Sequence, residues 1–220
     1  MKKNKMMRFA SGLLVAVLLT TCAISGTFAK YVTSGSAEDS ARVAKFGVTV
    51  TGTGDMFKET YGKDDTTFIL AENTVVSTDK VVAPGTDGSL GGFAITGTPE
   101  VAVRVSCEAT EVDFGDKWID KEGNYYCPIE VTVGEAALKG LEYDNIGAFE
   151  TAIKNEIKKF TKDYEANTDL ATISDKLDVS WAWAFEGNDD VKDTYLGDQA
   201  AAGNAATISL SIAATVTQID

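Results

Sequence analysis

The sequence VAVRVSCE, residues 101–108, gives the clearest structural signal in the chain. Val101, Val103, Val105 and Cys107 fall on one face of an extended chain, because successive side chains of a strand point to opposite faces. The other face carries mainly polar side chains. Alternation of this kind predicts a half-buried antiparallel strand, with one face on a core and the other in water.

Further segments repeat this pattern or contain shorter apolar runs. They are residues 41–50, 66–71, 73–78, 125–133, 177–185 and 208–216. Turn-rich sequences lie between them, in the connector at 81–94, which contains Pro84-Gly85, and at 121–124. Many strands joined by turns predict a mainly β protein: an antiparallel β-sandwich, jelly-roll-like, rather than a parallel α/β sheet.

One segment follows a helical period instead. Its apolar residues recur at intervals of three or four positions: Ile146, Phe149, Ile153, Ile157, Phe160 and Tyr164. This spacing places them along one face of a helix, and four lysines lie off that face. We therefore expect one inserted amphipathic helix at about 145–165, capped by Asp144 or Asn145 and packed on the core.

Composition excludes several classes of enzyme. The chain has 220 residues and no histidine. Ser-His-Asp and Cys-His catalytic systems, and zinc hydrolases of the HExxH type, all depend on imidazole. The 33 acidic residues outnumber the 20 basic ones, and the formal net charge is −13. An acidic chain disfavours binding to nucleic acid, and we do not expect an enzyme.

The N-terminal residues have the three-part layout of a secretory signal peptide. Basic residues precede an apolar run at 9–24, and small residues follow as far as the motif TFA at 27–29. We predict cleavage between Ala29 and Lys30. The apolar run is shorter than the roughly 20 residues of a membrane span, so a permanent anchor is the weaker alternative. The mature protein is expected to be secreted, extracellular or on the cell surface, with no membrane segment.

Cleavage defines the domain organisation. Residues 1–29 form the signal peptide, residues 30–40 a polar, flexible leader, and residues 41–220 a single β-sandwich domain. The signal peptide contains basic residues and no acidic one, so the mature chain is more acidic than the full chain.

The segment 186–198 concentrates carboxylate and amide oxygens, the ligands that Ca²⁺ prefers. Its candidate metal ligands are Asp189, Asp190, Asp193 and Asp198. The spacing does not match an EF-hand loop, and an acidic loop is often simply solvated. The sequence therefore predicts no cofactor, with calcium as the possible exception.

Cys107 and Cys127 are the two cysteines that remain after removal of the signal peptide. Both lie on the apolar side of predicted strands, and exported proteins meet conditions in which disulfides form. Pairing through the turn at 121–124 would set Cys127 opposite the region of Asp116 rather than opposite Cys107. A disulfide and two buried free thiols are therefore equal alternatives.

Trp181 and Trp183 share one strand face with Val179 and Phe185. Their apolar neighbours predict that both indoles are part of the core. A platform on which sugars stack would require the same face to be exposed.

The N-terminal region resembles Gram-positive proteins that are exported with a SipW-dependent type of signal peptide, a group that includes the TasA/camelysin family of biofilm-matrix proteins. The resemblance rests on the TFA motif, on Tyr31 shortly after it, and on the polar leader that runs into ARVAKF at 41–46. Further along, VVAPGTDGS at 81–89 and WAWAFEGNDDVKDTYLG at 181–197 are similar to uncharacterised clostridial secreted proteins of this class.

The resemblance implies a jelly-roll subunit that a SipW-like signal peptidase cleaves and that assembles into extracellular fibres. In such fibres the mature N-terminal segment is a donor strand in the next subunit. The corresponding positions here begin with Lys30, Tyr31, Val32 and Thr33. A flexible leader that pairs with a neighbour's sheet edge contributes main-chain hydrogen bonds.

Two functions are compatible with these observations. The first is a secreted structural protein that self-associates, as a subunit or accessory of a biofilm-matrix or surface fibre. The alternative is a secreted monomeric module that binds a glycan or calcium. The two functions differ in whether they need the leader: assembly requires it, and ligand binding does not.

Overall fold

The computed structural model describes residues 42–52, 56–61, 75–77, 79–90, 93–173 and 177–219. The chain divides into two compact units, Met1–Val43 and Ala44–Asp220, and the fold below is that of the second unit. The predicted signal peptide, its cleavage site at Ala29 and Lys30, and the leader at 30–40 all lie outside the described residues, so these predictions stay predictions.

The described part of the chain is mainly β. Its strands are β1 (Thr49–Gly52), β2 (Thr60–Tyr61), β3 (Val75–Val76), β4 (Thr86–Ser89), β5 (Phe93–Thr96), β6 (Val103–Asp113), β7 (Ile129–Val133), β8 (Ala136–Lys139), β9 (Thr161–Tyr164), β10 (Val179–Trp183) and β11 (Ser209–Gln218). Its helices are α1 (Ile146–Lys158) and α2 (Asp190–Ala201), with short 3₁₀ turns at Gly140–Glu142 and Leu170–Thr172.

The strands form two larger and two smaller sheets. The larger sheets have the orders β4-β10-β7-β8 and β11-β6-β9, and the smaller ones are the pairs β1-β5 and β2-β3. Every pair is antiparallel. The predicted fold class, a mainly β antiparallel sandwich, is therefore confirmed. This strand order does not by itself establish a jelly roll, which stays a prediction.

Both larger sheets contribute to one hydrophobic core. Val179, Trp181 and Trp183 of β10 are buried, and the residues between them are half-buried. Cys107 and Val112 of β6 belong to the same cluster. The prediction that both tryptophans are core residues is confirmed, because period-two alternation places them on the inner face of the four-stranded sheet.

Helix α1 packs on this core with the predicted face. Phe149, Ile153 and Ile157 are at most 1% exposed. The side chain of Asn145 accepts a hydrogen bond from the Ala148 N–H at 2.9 Å, which satisfies one of the unpaired donors of the first turn. The predicted cap and the buried stripe are both confirmed.

The helix is shorter than predicted. It ends at Lys158, and the N–H of Phe160 donates to the carbonyl of Ile157 as the chain turns. The next residues form β9, which pairs with β6, and Arg104 makes two hydrogen bonds to Asp163 across the two strands at 2.6 and 2.7 Å. The prediction that Tyr164 continues the helix was wrong, because strand pairing with β6 satisfies the backbone of this segment.

A β-bulge explains why the alternation of β6 changes its phase. Ala109 pairs with Ile212 and Glu111 pairs with Ser211, so Thr110 is an extra residue on β6. An extra residue shifts the following side chains to the opposite faces. Val112 is therefore buried, on the same side as Cys107.

The N-terminal strands differ from the predictions. Strand β1 overlaps only the last residues of the predicted strand at 41–50, and residues 42–48 are not a strand. The candidate at 66–71 lies outside the described residues, and the candidate at 73–78 contains the two-residue β3. Sequence alternation is a weak signal where strands are this short.

The connector predicted at 81–94 contains a turn and a strand. The Thr86 N–H donates to the Ala83 carbonyl at 3.0 Å, and Gly85 has φ +83°, which confirms the reversal at Pro84-Gly85. Strand β4 follows directly and pairs with β10. The prediction of a connector without a strand was therefore wrong, because pairing with β10 orders a segment whose composition is typical of turns.

Candidate functional site

Among the described residues, strand β11 is an edge strand of the three-stranded sheet. It pairs with β6 on one side, and no other described strand pairs with its second side. The N–H of Ile219 donates to the carbonyl of Ala102 at 2.9 Å, so Ile219 faces β6. Backbone groups alternate in direction along a strand. The residues of β11 whose N–H and C=O groups face the open edge are therefore Ile212, Ala214, Val216 and Gln218.

The composition of β11 makes this edge unusual. Its ten residues, SLSIAATVTQ, include no charged residue, no glycine and no proline. The other edge strands of the two larger sheets, β4, β8 and β9, have four residues each and contain Asp87, Lys139 and Lys162. Short length and charge protect a sheet edge from pairing with another chain. Among the described edges of these two sheets, β11 alone lacks both protections.

The inward side chains of β11 are only half-buried. Leu210, Ile212 and Ala214 pack against the main core cluster, and Val216 packs against a second cluster that contains Val103. All four are of intermediate exposure, whereas Val103 is fully buried. Added cover along the open edge would therefore remove further apolar surface from water.

The acidic segment at 186–198 is mostly helix rather than loop. Asp189 caps α2, and its side chain accepts hydrogen bonds from the N–H groups of Val191 and Lys192 at 3.1 and 3.3 Å. Asp190 and Asp193 lie in the first turn, where carboxylates interact favourably with the helix dipole. The loop interpretation was wrong, because Asp189 caps a helix that begins at Asp190.

Asp193 is the buried member of the acidic group. It is 8% exposed, and the Tyr126 hydroxyl donates to its Oδ1 at 2.7 Å. Burial raises the pKa of the Asp193 carboxyl, and the hydrogen bond from Tyr126 opposes that rise. Trp183 also lowers the pKa of the Asp193 carboxyl through its indole N–H, although the Nε1 does not reach the distance and angle of a full hydrogen bond.

Asp120 and Lys192 form an ion pair that the sequence did not predict. Lys192 Nζ lies 3.0 Å from Asp120 Oδ2, and 5.2 Å from the centre of the Tyr126 ring. Burial opposes ionisation of Asp120, but hydrogen bonds from Asn124 and Lys192 outweigh it, so the pKa of Asp120 is lowered. The turn predicted at 121–124 is present, since the Gly123 N–H donates to the Asp120 carbonyl. The turn signal did not indicate that Asp120 pairs with Lys192 on α2.

The four candidate calcium ligands lie at the cap of α2 or within the helix: Asp189 is the N-cap, Asp190 and Asp193 are in the first turn, and Asp198 is nearer the C-terminal end. Asp189 and Asp193 are engaged by the cap and by Tyr126, while Asp190 and Asp198 are exposed. Within the described ranges, no three His, Cys, Asp or Glu side chains are grouped as a metal ion would require. Calcium binding was predicted from the sequence and stays a prediction.

Cys107 and Cys127 are both buried free thiols in the structure. Cys107 lies in β6, and Cys127 lies just before β7. These two strands do not pair as a hairpin, because β6 belongs to the three-stranded sheet and β7 to the four-stranded one. Burial raises the pKa of Cys107 to about 11 and that of Cys127 to about 12. The structure therefore matches the free-thiol alternative.

Neither helix in the described part of the chain is long and apolar enough to cross a bilayer. No protein-family model, curated protein or solved structure matches the chain.

Proposed function

We propose that this chain is a secreted structural protein, a subunit or accessory of an extracellular biofilm-matrix or surface fibre. Copies join when the leader at 30–40 of one copy pairs as a donor strand with β11 of another. The resemblance of the N-terminal region to SipW-type exported proteins supports secretion with cleavage between Ala29 and Lys30.

The observation that carries the proposal is the unprotected edge of β11. It offers N–H and C=O groups along a ten-residue strand without charge, glycine or proline. An added strand makes main-chain hydrogen bonds to such an edge, and its inward side chains extend the half-buried row that contains Ile212 and Ala214.

The length of the leader supports the same pairing. An extended chain rises about 3.3 Å per residue, so residues 30–40 span about 36 Å and β11 spans about 33 Å. Odd-numbered leader positions share one face of an extended chain, beginning with Tyr31 and Thr33. Tyr31 is the largest side chain of the leader, so we expect it to anchor the donor strand on the inner face.

The test compares the mature chain, residues 30–220, with a chain that lacks residues 30–40. We expect filaments of the mature chain in negative-stain electron micrographs, and a folded monomer without the leader. A synthetic peptide of residues 30–40 should stop the growth of mature filaments, because it occupies β11 without extending the fibre. A peptide of the same composition in scrambled order is the control.

Two results would contradict the proposal. One is identical filaments from the shortened chain. The other is a mature chain that stays monomeric at every concentration while the amide protons of β11 are protected from exchange. That result would mean that the leader pairs with β11 of its own subunit.

A further inference from the structure

A cleft lies beside the N-terminal end of α2. It has a volume of about 640 Å³, and its walls include Pro84, Phe185, Asn188 and Thr194. A smaller cavity of about 120 Å³ lies between α2 and the core and is lined by Trp118 and Trp183 among other residues. Pro84 and Asp193 line both spaces, so the cavity adjoins the cleft at these residues.

Phe185 presents an aromatic ring to the cleft. Alternation along β10 predicted it in the core with Trp183, but the strand ends at Trp183 and Phe185 is 42% exposed. An exposed ring on a cleft wall offers an apolar face on which a flat, partly apolar group stacks.

An unused hydrogen-bond donor lies at the inner end. Trp118 and Trp181 donate their indole N–H groups to the carbonyls of Thr207 and Met56 at 3.1 and 2.9 Å. Trp183 is 4% exposed, and its Nε1 has no hydrogen-bond partner. A buried donor without a partner is costly, and this one lies beside the buried carboxylate of Asp193.

We infer that this cleft binds the terminal sugar of a neutral or amino glycan. A hydroxyl group is both an acceptor and a donor, so a sugar hydroxyl at the inner end accepts from Trp183 and donates to Asp193. The ring of Phe185 packs on the apolar C–H face of the sugar. The cavity exceeds by several-fold the roughly 15 Å³ that one water molecule requires, which is room for the end of a sugar ring.

The charge of the walls defines the glycan class. The two spaces are lined by the carboxylates of Glu186, Asp190 and Asp193, and by no Lys or Arg of the described chain. Carboxylates repel an acidic sugar and attract an ammonium group. This inference is independent of assembly through β11, because the cleft and that strand are separate sites.

The test uses the mature chain with glucose, glucosamine and glucuronate as probes. Binding is followed by saturation-transfer NMR and by tryptophan fluorescence, since two of the three tryptophans line the inner cavity. We expect saturable binding of glucose and glucosamine in the millimolar range, glucosamine more tightly, and much weaker binding of glucuronate. The inference would be overturned if neither glucose nor glucosamine bound saturably up to about 50 mM. A dissociation constant above that value corresponds to a binding free energy too small for a specific site.

Variants then identify the contacts. Phe185→Ala changes an exposed residue and should weaken binding about 2- to 12-fold, the range expected for one stacking contact. Asp193→Asn should remove the preference for glucosamine over glucose, and Asp198→Asn, an exposed carboxylate on the same helix, is the matched control. Wild-type affinity and preference in both test variants would show that the sugars bind elsewhere.

Discussion

A proline in β11 tests the proposed assembly edge most directly. The backbone N–H of Ala214 faces the open edge, whereas that of Ala213 faces β6. Proline lacks this donor and is tolerated in an edge strand when the lost N–H points away from the sheet. Ala214→Pro therefore removes a donor from the docking edge and leaves the pairing with β6 intact.

The expected size of the effect follows from one lost hydrogen bond. The carbonyl of the incoming donor strand would be left without its partner, which costs about 1–3 kcal/mol. This loss corresponds to a decrease of roughly 5- to 150-fold in the association constant, and the critical concentration for polymerisation should rise by the same factor. The free energy of unfolding should change by no more than about 1 kcal/mol.

The assay measures the critical concentration by sedimentation of assembled protein, and stability by urea denaturation of the same variants. Ala214→Ser keeps the N–H and is the matched control, which should polymerise like the wild-type chain. Ala213→Pro breaks a hydrogen bond to β6 and should reduce stability by about 1–3 kcal/mol. A folded Ala214→Pro chain that polymerises at the wild-type critical concentration would refute the reasoning.

Three further predictions concern the body of the protein. Ile153→Ala, at a residue that is 1% exposed, should reduce the free energy of unfolding by about 2–5 kcal/mol, while Lys154→Ala on the exposed side of α1 should change it by less than about 0.5 kcal/mol in the same denaturation experiment. The pKa of Asp120 is lowered in the folded state, so its stabilising contribution is present above the unfolded pKa and is lost as the pH falls through the folded pKa. Asp120→Asn should therefore reduce the loss of stability at acidic pH when the free energy of unfolding is measured against pH. An unchanged profile would show that Asp120 does not contribute to this loss. Cys107 and Cys127 should react with a thiol reagent only after denaturation, since burial raises both thiol pKa values; a mature chain with no reactive thiol even in denaturant would instead contain the disulfide.

The strongest sequence patterns predicted local structure well. The alternation at 101–108 corresponds to the first part of β6, and the stripe of Phe149, Ile153 and Ile157 is the buried face of α1. These predictions succeed because the faces of a strand or helix depend on neighbouring residues of the same segment. Tyr164 was placed incorrectly because apolar spacing does not show where a helix gives way to strand pairing.

Helix α2 shows what a local pattern misses. Its sequence is rich in acidic residues, and only Leu196 and Asp193 among its residues are buried. The cap at Asp189 was a usable signal for the helix start, and Gly203, with φ +83°, follows its end. The contacts of Asp193 with Tyr126 and of Lys192 with Asp120 join residues far apart in sequence, so no local spacing predicts them.

The sequence alone was sufficient for the mainly β class and for the inward positions of β6, β10 and α1, because periodic burial is encoded by adjacent residues. The tertiary structure alone decided which strand lies at a sheet edge. The alternation of β11 is the same for an inner and an outer strand, and only the order β11-β6-β9 leaves Ala214 facing an open edge. Likewise, β10 ends before Phe185 and exposes its ring. The physical reason is that hydrogen bonding between strands and the position of clefts depend on long-range packing, which the spacing of residues along the chain does not specify.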